Sequence, residues 1–164
     1  QGAVEIAQAM LGTRPNAHIL KANANVDLQR IVDDARRHAV VDRVLIQFPD
    51  PHFKKKHHKR RVVTPALATI IADALDGDGA FVYAATDVRE PAEQIRDIFD
   101  GEPRLVRDLS DLDDDGWHRP NPLPCPTERE RCVLNKQGRT STCPGRVFRV
   151  LFHPRPSEDA ASSS

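Results

Sequence analysis

The stretch RVLIQFPDPHFKKKHHKRR, residues 43–61, decides how the chain is read. Its opening, Arg43 to Phe48, is a compact apolar run. Too short for a helix and closed by proline, it predicts a strand buried in a parallel sheet. Ligands of open α/β sheets bind in the crevice beyond the carboxyl ends of the strands, so a polar group directly after a buried strand is a candidate site. Asp50 is such a group. Pro49 and Pro51 hold fixed φ angles on either side of it and limit how far its carboxylate can wander. On that tripeptide alone, the cap of a turn remains the leading reading. The next ten residues, His52 to Arg61, carry six lysines and arginines. Such a run is commonly a solvated face or a nuclear-localisation tract. Beside a candidate site, in a chain with no net charge, it can also neutralise several phosphates, which makes RNA the leading partner. His52, His57 and His58 are interleaved with cations that would repel a metal ion, so no metal is expected.

Outward from this stretch, helical and strand patterns alternate. Val4, Ile6, Ala7, Met10 and Leu11 suggest a helix over residues 1–13, ended by Gly12 and Pro15, and a short strand is expected from His18 to Ala22. Leu28, Ile31, Val32, Ala35 and Ala39 recur at helical spacing from Asn25 onward. Beyond the basic run, Thr64 and Pro65 read as an N-cap and first helical residue, with Leu67, Ile70, Ile71, Ala74 and Leu75 as the buried face and Gly77 and Gly79 as the stop. A strand from Ala80 to Ala85, a helix from Pro91 to Phe99 and a weak strand from Arg104 to Val106 follow. Asp111, Asp113, Asp114 and Asp115 form an acidic loop, and Val147 to Phe152 is the last expected strand. The alternation predicts an α/β sheet. The expected organisation is one domain over residues 1–154 and a disordered polar tail over 155–164.

A length of 164 residues suits one domain, yet is small for an enzyme that must hold both a cofactor and an RNA. Lysine plus arginine, 24, balances aspartate plus glutamate, 24, so attraction to nucleic acid has to come from local clustering. A mean hydropathy of -0.53 and the lack of a long apolar run predict no membrane span. Cys125, Cys132 and Cys143 match neither a zinc spacing nor a disulfide framework, and free thiols are expected.

The run Phe48-Pro-Asp-Pro-His-Phe-Lys54, followed by Lys55-Lys-His-His-Lys-Arg-Arg61, resembles the signature of the tRNA (guanine-N7)-methyltransferase family. The likeness continues through Ala84-Ala-Thr-Asp87, Pro126-Thr-Glu-Arg-Glu130 and Gly145-Arg-Val-Phe-Arg149, in the family's order, over roughly residues 16–152. It implies a Rossmann-like class I methyltransferase fold: a seven-stranded sheet with helices on both faces, its last two strands an antiparallel pair. It also implies methyl transfer from S-adenosylmethionine to N7 of the variable-loop guanosine of tRNA. By position, Asp50 is then the catalytic acid, Lys54 and Asp87 contact the substrate, and Thr127 and Glu130 line the same pocket from a late loop. Asn23 and Ala24 meet the adenine end of S-adenosylmethionine, with Gln47 nearby. Lys55, Lys56, Lys59, Arg60 and Arg61 contact the tRNA backbone.

The family pattern also implies a first strand, an acidic-Gly-x-Gly turn and a second strand ahead of the helix at residues 1–13. The chain begins at Gln1, inside that helix. The expectation is therefore a partial domain missing the first two strands, with an open sheet edge and weak or absent donor binding. The competing reading is a truncated, non-catalytic tRNA-binding remnant. Pro-Asp-Pro-His-Phe looks like eukaryotic relatives, which often work with a WD-repeat partner, while His57-His58-Lys59-Arg60-Arg61 also looks like bacterial and plant members. Partner dependence and compartment, whether nucleus, cytoplasm or plastid, stay open at this level.

Overall fold

The computed structural model describes residues 12, 16–51, 61–135 and 145–156. Among the described residues, four helices, α1 (Ala24–Ala35), α2 (Pro65–Ala74), α3 (Arg89–Asp100) and α4 (Glu128–Leu134), alternate with four strands, β1 (Arg43–Gln47), β2 (Phe81–Thr86), β3 (Leu105–Arg107) and β4 (Phe148–Pro154). The strands form one open sheet in the order β1-β2-β4-β3. β1 and β2 are parallel, with Arg43 opposite Phe81 and Gln47 opposite Ala85. β4 runs antiparallel to both of its neighbours.

The helix starts follow from local chemistry. Thr64 accepts the Leu67 N–H at 3.2 Å, and Pro65 has no N–H to leave unsatisfied in the first turn. Leu67, Ala68, Ile71 and Ala74 then share one buried face of α2. With Val82, Ala84, Ile95, Phe99, Trp117, Phe148 and Phe152 they build the main core on the side of the sheet covered by α2 and α3. Tyr83, Ala85, Val147 and Leu151 point the other way and pack with Val133 of α4. Helices thus cover both faces, as period-two alternation along a two-sided sheet requires.

Two expectations change. Residues 18–22 do not form a strand: among the described residues they have no ladder partner, and Leu20 is exposed. Without a neighbouring strand, extended backbone has no donors and acceptors to pair with. Thr127 and Glu130, expected on a loop, instead begin α4. The helix expected over residues 1–13 lies outside the described residues apart from Gly12, and the tail lies outside them from residue 157. Within the described sheet β1 is an edge strand, and Leu45 on it is exposed.

Candidate functional site

The parallel register of β1 and β2 brings their carboxyl ends together. Past β1 the ladder continues for one more bond, from the Phe48 N–H to the Ala85 carbonyl at 2.7 Å. Phe48 then takes a φ of 48°, a left-handed conformation that is costly for a bulky side chain and that clusters at functional sites. That turn of the backbone delivers Pro49, Asp50 and Pro51 to the sheet's end. Past β2, Thr86 accepts the Val88 N–H, and Asp87 lies between them, only 4% exposed.

Phe48, Pro49, Asp50, Pro51, Asp87, Val88 and Arg129 line one open cleft of about 400 Å³. This is within the roughly 300–1,000 Å³ typical of small-molecule sites. Asp50 is exposed in it, whereas Asp87 forms its floor. Arg129 reaches from the first turn of α4, donates to Asp87 Oδ2 at 2.9 Å and sets its guanidinium carbon 5.8 Å from the centre of the Phe48 ring. The sequence reading missed Arg129, although it stands inside the quoted run Pro126 to Glu130.

Thr127 and Glu130 do not line this cleft. Thr127 caps α4 by accepting the Glu130 N–H at 3.2 Å. Glu130, 2% exposed, accepts from Arg149 Nε at 3.0 Å and from Asn121 at 2.6 Å. Burial first, and then the Glu130 carboxylate, push the phenol of nearby Tyr83 up to about 12, against the opposing pull of Arg149. The signal for α4 is legible: Thr127-x-x-Glu130 ahead of Val133 and Leu134 has the spacing of a capping box. Here the glutamate serves the interior rather than the cap.

Arg61 also departs from its expected place on the tRNA backbone. Its side chain is 7% exposed and its guanidinium turns inward. Nε donates to the Pro51 carbonyl at 3.2 Å, NH2 to Glu90 Oε2 at 2.8 Å, and NH1 to Gln94. The basic run thus ends on a residue that clamps the Pro49-Asp50-Pro51 turn to α3. Lys54, Lys55, Lys56, Lys59 and Arg60 lie outside the described residues.

On the side of α1, Asn23 accepts the Asn25 N–H with its side-chain oxygen and donates its own backbone N–H to Asp27. Ala24 follows it, half-buried, and the half-buried Gln47 amide ends β1. None of the three residues lines the cleft around Asp50. Cys125 and Cys132 are free thiols, and Cys143 lies outside the described residues.

Comparison with known proteins gives the same direction. A family described as putative methyltransferase matches residues 3–143. The chain is 43% identical over 137 residues to a tRNA (guanine-N(7)-)-methyltransferase of Synechococcus elongatus, covering 84% of this chain and 58% of the relative. It is 43% identical over 121 residues to the protein of that name from Thermosynechococcus vestitus, covering 74% and 52%. To that of Parasynechococcus marenigrum it is 38% identical over 152 residues, covering 90% and 60%. The chain therefore spans a little over half the length of the curated relatives it matches.

Proposed function

Because the chain belongs to the family of putative methyltransferases and its curated relatives are tRNA (guanine-N(7)-)-methyltransferases, we propose that the protein carrying it methylates N7 of a guanosine in tRNA, with S-adenosylmethionine as donor. The observation that carries this reading is the cleft in which Asp50, held between two prolines, and Asp87 meet at the ends of two parallel strands.

S-adenosylmethionine supplies an electrophilic sulfonium methyl, and Asn23, Ala24 and Gln47 are the residues proposed to meet its nucleoside end. Guanine N7 already carries an outward lone pair, so no group has to remove a proton from it. The lone pair forms the new N–C bond as the C–S bond breaks, and the ring gains the positive charge the sulfonium loses. What the protein must do is hold the base in line, and orientation of this kind contributes on the order of 7–11 kcal/mol to such reactions. Carboxylates suit both tasks. They accept hydrogen bonds from the N1 and N2 donors of guanine, and their charge opposes the cation developing on the ring. Each bond to a charged group contributes roughly 1.5–3 kcal/mol. The basic stretch from Lys54 to Arg60 is proposed to grip the phosphates around the base.

Asp50→Asn in the full-length protein tests the reading through transfer of labelled methyl to a tRNA transcript. The expected loss in kcat/KM is about 10- to 100-fold, the equivalent of one charge-assisted bond. Full turnover in that variant would remove Asp50 from the mechanism.

A further inference from the structure

Asn25 is the second residue of α1, directly after the Asn23-Ala24 pair, and its side chain reaches out of the helix to another part of the fold. Nδ2 donates to the backbone carbonyl of Arg61 at 3.1 Å. Oδ1 accepts from the Thr64 hydroxyl at 3.1 Å, and the same hydroxyl accepts the Leu67 N–H at the start of α2. The partners fix these roles. A carbonyl can only accept, so the amide meets it with nitrogen, and a hydroxyl that already accepts from Leu67 turns its proton to the amide oxygen. One short side chain thus ties the start of α1 to the segment from Arg61 to Thr64. The helix does not need this tie for its own sake: the Asn23 oxygen caps it on the Asn25 N–H, and Val32 and Leu28 pack its inner face on the core.

Arg61 carries the connection onward. Its buried guanidinium donates to the Pro51 carbonyl at 3.2 Å, one residue from Asp50. A run of bonds therefore leads from the turn that bears Asn23 and Ala24, through Asn25 and Arg61, to the turn that bears Asp50. In-line methyl transfer needs two ligands in one register, the donor carbon against N7, and a misplacement of about 1 Å can cost on the order of 100-fold in rate. We propose that Asn25 is a positioning residue for the transfer: through Arg61 it sets the turn that meets the donor against the turn that holds the base. This inference rests on the reading of Asn23 and Ala24 as donor contacts and of Asp50 as a base contact. The two bonds of Asn25 lie at or near the surface, where water takes over from a lost partner, so they set geometry more than they stabilise the fold.

The test uses the full-length protein with Asn25→Asp, Asn25→Ala, Arg61→Ala and the double variant Asn25→Asp with Arg61→Ala, assayed for methyl transfer to a tRNA transcript well below their melting temperatures. Asn25→Asp keeps the shape and the acceptor for Thr64 and suits the first turn of a helix, but sets an oxygen against the Arg61 carbonyl. Its kcat is expected to fall about tenfold, with KM for tRNA and for S-adenosylmethionine within about twofold of wild type. Its melting temperature should stay within about 2 °C of wild type. Asn25→Ala loses both bonds and should lose at least as much in kcat. Because Arg61→Ala breaks the same path, the kcat loss of the double variant should be smaller than the product of the two single losses. An unchanged kcat with a KM for S-adenosylmethionine raised about tenfold would make Asn25 a donor contact and overturn the inference. Losses that multiply in the double variant overturn the path through Arg61, and a kcat loss that disappears on cooling, beside a lowered melting temperature, reduces Asn25 to a structural role. If wild type transfers methyl to tRNA and Asn25→Asp matches its kcat, the positioning role alone falls. If wild type transfers none, the reading of the site falls and the inference with it.

Discussion

Arg61→Ala separates a clamp from a phosphate contact. The guanidinium binds the Pro51 carbonyl, Glu90 and Gln94, and its side chain is 7% exposed. The Glu90 side chain is 59% exposed, so its charge returns to water when the partner is lost, and that pair is worth about 1 kcal/mol at most. The Pro51 carbonyl and the Gln94 amide lose charge-assisted bonds in a partly buried setting, adding about 1–2 kcal/mol together after water replaces part of them. The expected destabilisation is about 2–3 kcal/mol, or roughly 5–10 °C in melting temperature for a domain of this size. Thermal unfolding followed by circular dichroism measures it. Arg61→Lys should recover little, since an ammonium cannot serve three acceptors in the fork geometry. Because the group is turned inward, the salt slope of tRNA binding should not change. A slope reduced by about one with an unshifted melting temperature would refute the clamp and restore the phosphate role expected from the basic run.

Three further outcomes follow from the interior. Glu130→Ala leaves the largely enclosed Arg149 guanidinium without its buried carboxylate and should cost about 3 kcal/mol in urea unfolding, so any loss of tRNA binding in that variant would report the fold. Tyr83 is held at about 12 in the folded chain, against an ordinary phenol value of 10.0. Its contribution is complete below pH 10 and is lost as pH rises toward about 12, roughly 2–3 kcal/mol in all. Tyr83→Phe should abolish that alkaline loss and leave neutral-pH stability the same or higher, because the buried hydroxyl has no well-formed hydrogen bond among the described residues. Asp108, brought down to about 2 first by the Ser110 hydroxyl and also by His153 and His118, stabilises the fold above its ordinary value of 3.8. About 2 kcal/mol of that should disappear as pH falls toward 2, and Asp108→Asn should flatten the acid limb of a stability profile taken by urea unfolding.

Much of the frame was legible because it rests on short-range rules. Thr64-Pro65 announced α2, the compact run from Arg43 announced β1, and the structure keeps both within a residue or two of their expected bounds. Residues 18–22 misled because strand formation depends on a neighbour, and no local pattern says whether one is there. At the cleft, Asp50 and Asp87 could be found as polar groups following apolar strands. The fates of Arg61 and Arg129 could not. Both are arginines in basic or mixed-charge surroundings, and only the path of the chain decides that the first turns toward Glu90 and the second toward Asp87. Thr127 and Glu130 show the converse: their spacing spells a helix start, and that local meaning is the one the structure bears out.

The parallel register explains why two acids meet at this end of the sheet. With Gln47 opposite Ala85, Asp50 lies three residues beyond the last paired position of β1 and Asp87 two beyond that of β2. Adjacent parallel strands therefore deliver two acids, Asp50 exposed and Asp87 buried, to neighbouring ends. Arg61 approaches from outside, on the Pro51 carbonyl and α3, and contributes rigidity to the turn that bears Asp50. Arg129 approaches from inside the cleft and sits on Asp87 itself. One side chain is buried; the other is partly open to solvent. That difference in exposure, 7% against 38%, separates a residue that fastens the turn bearing Asp50 from one that lines the cleft beside it.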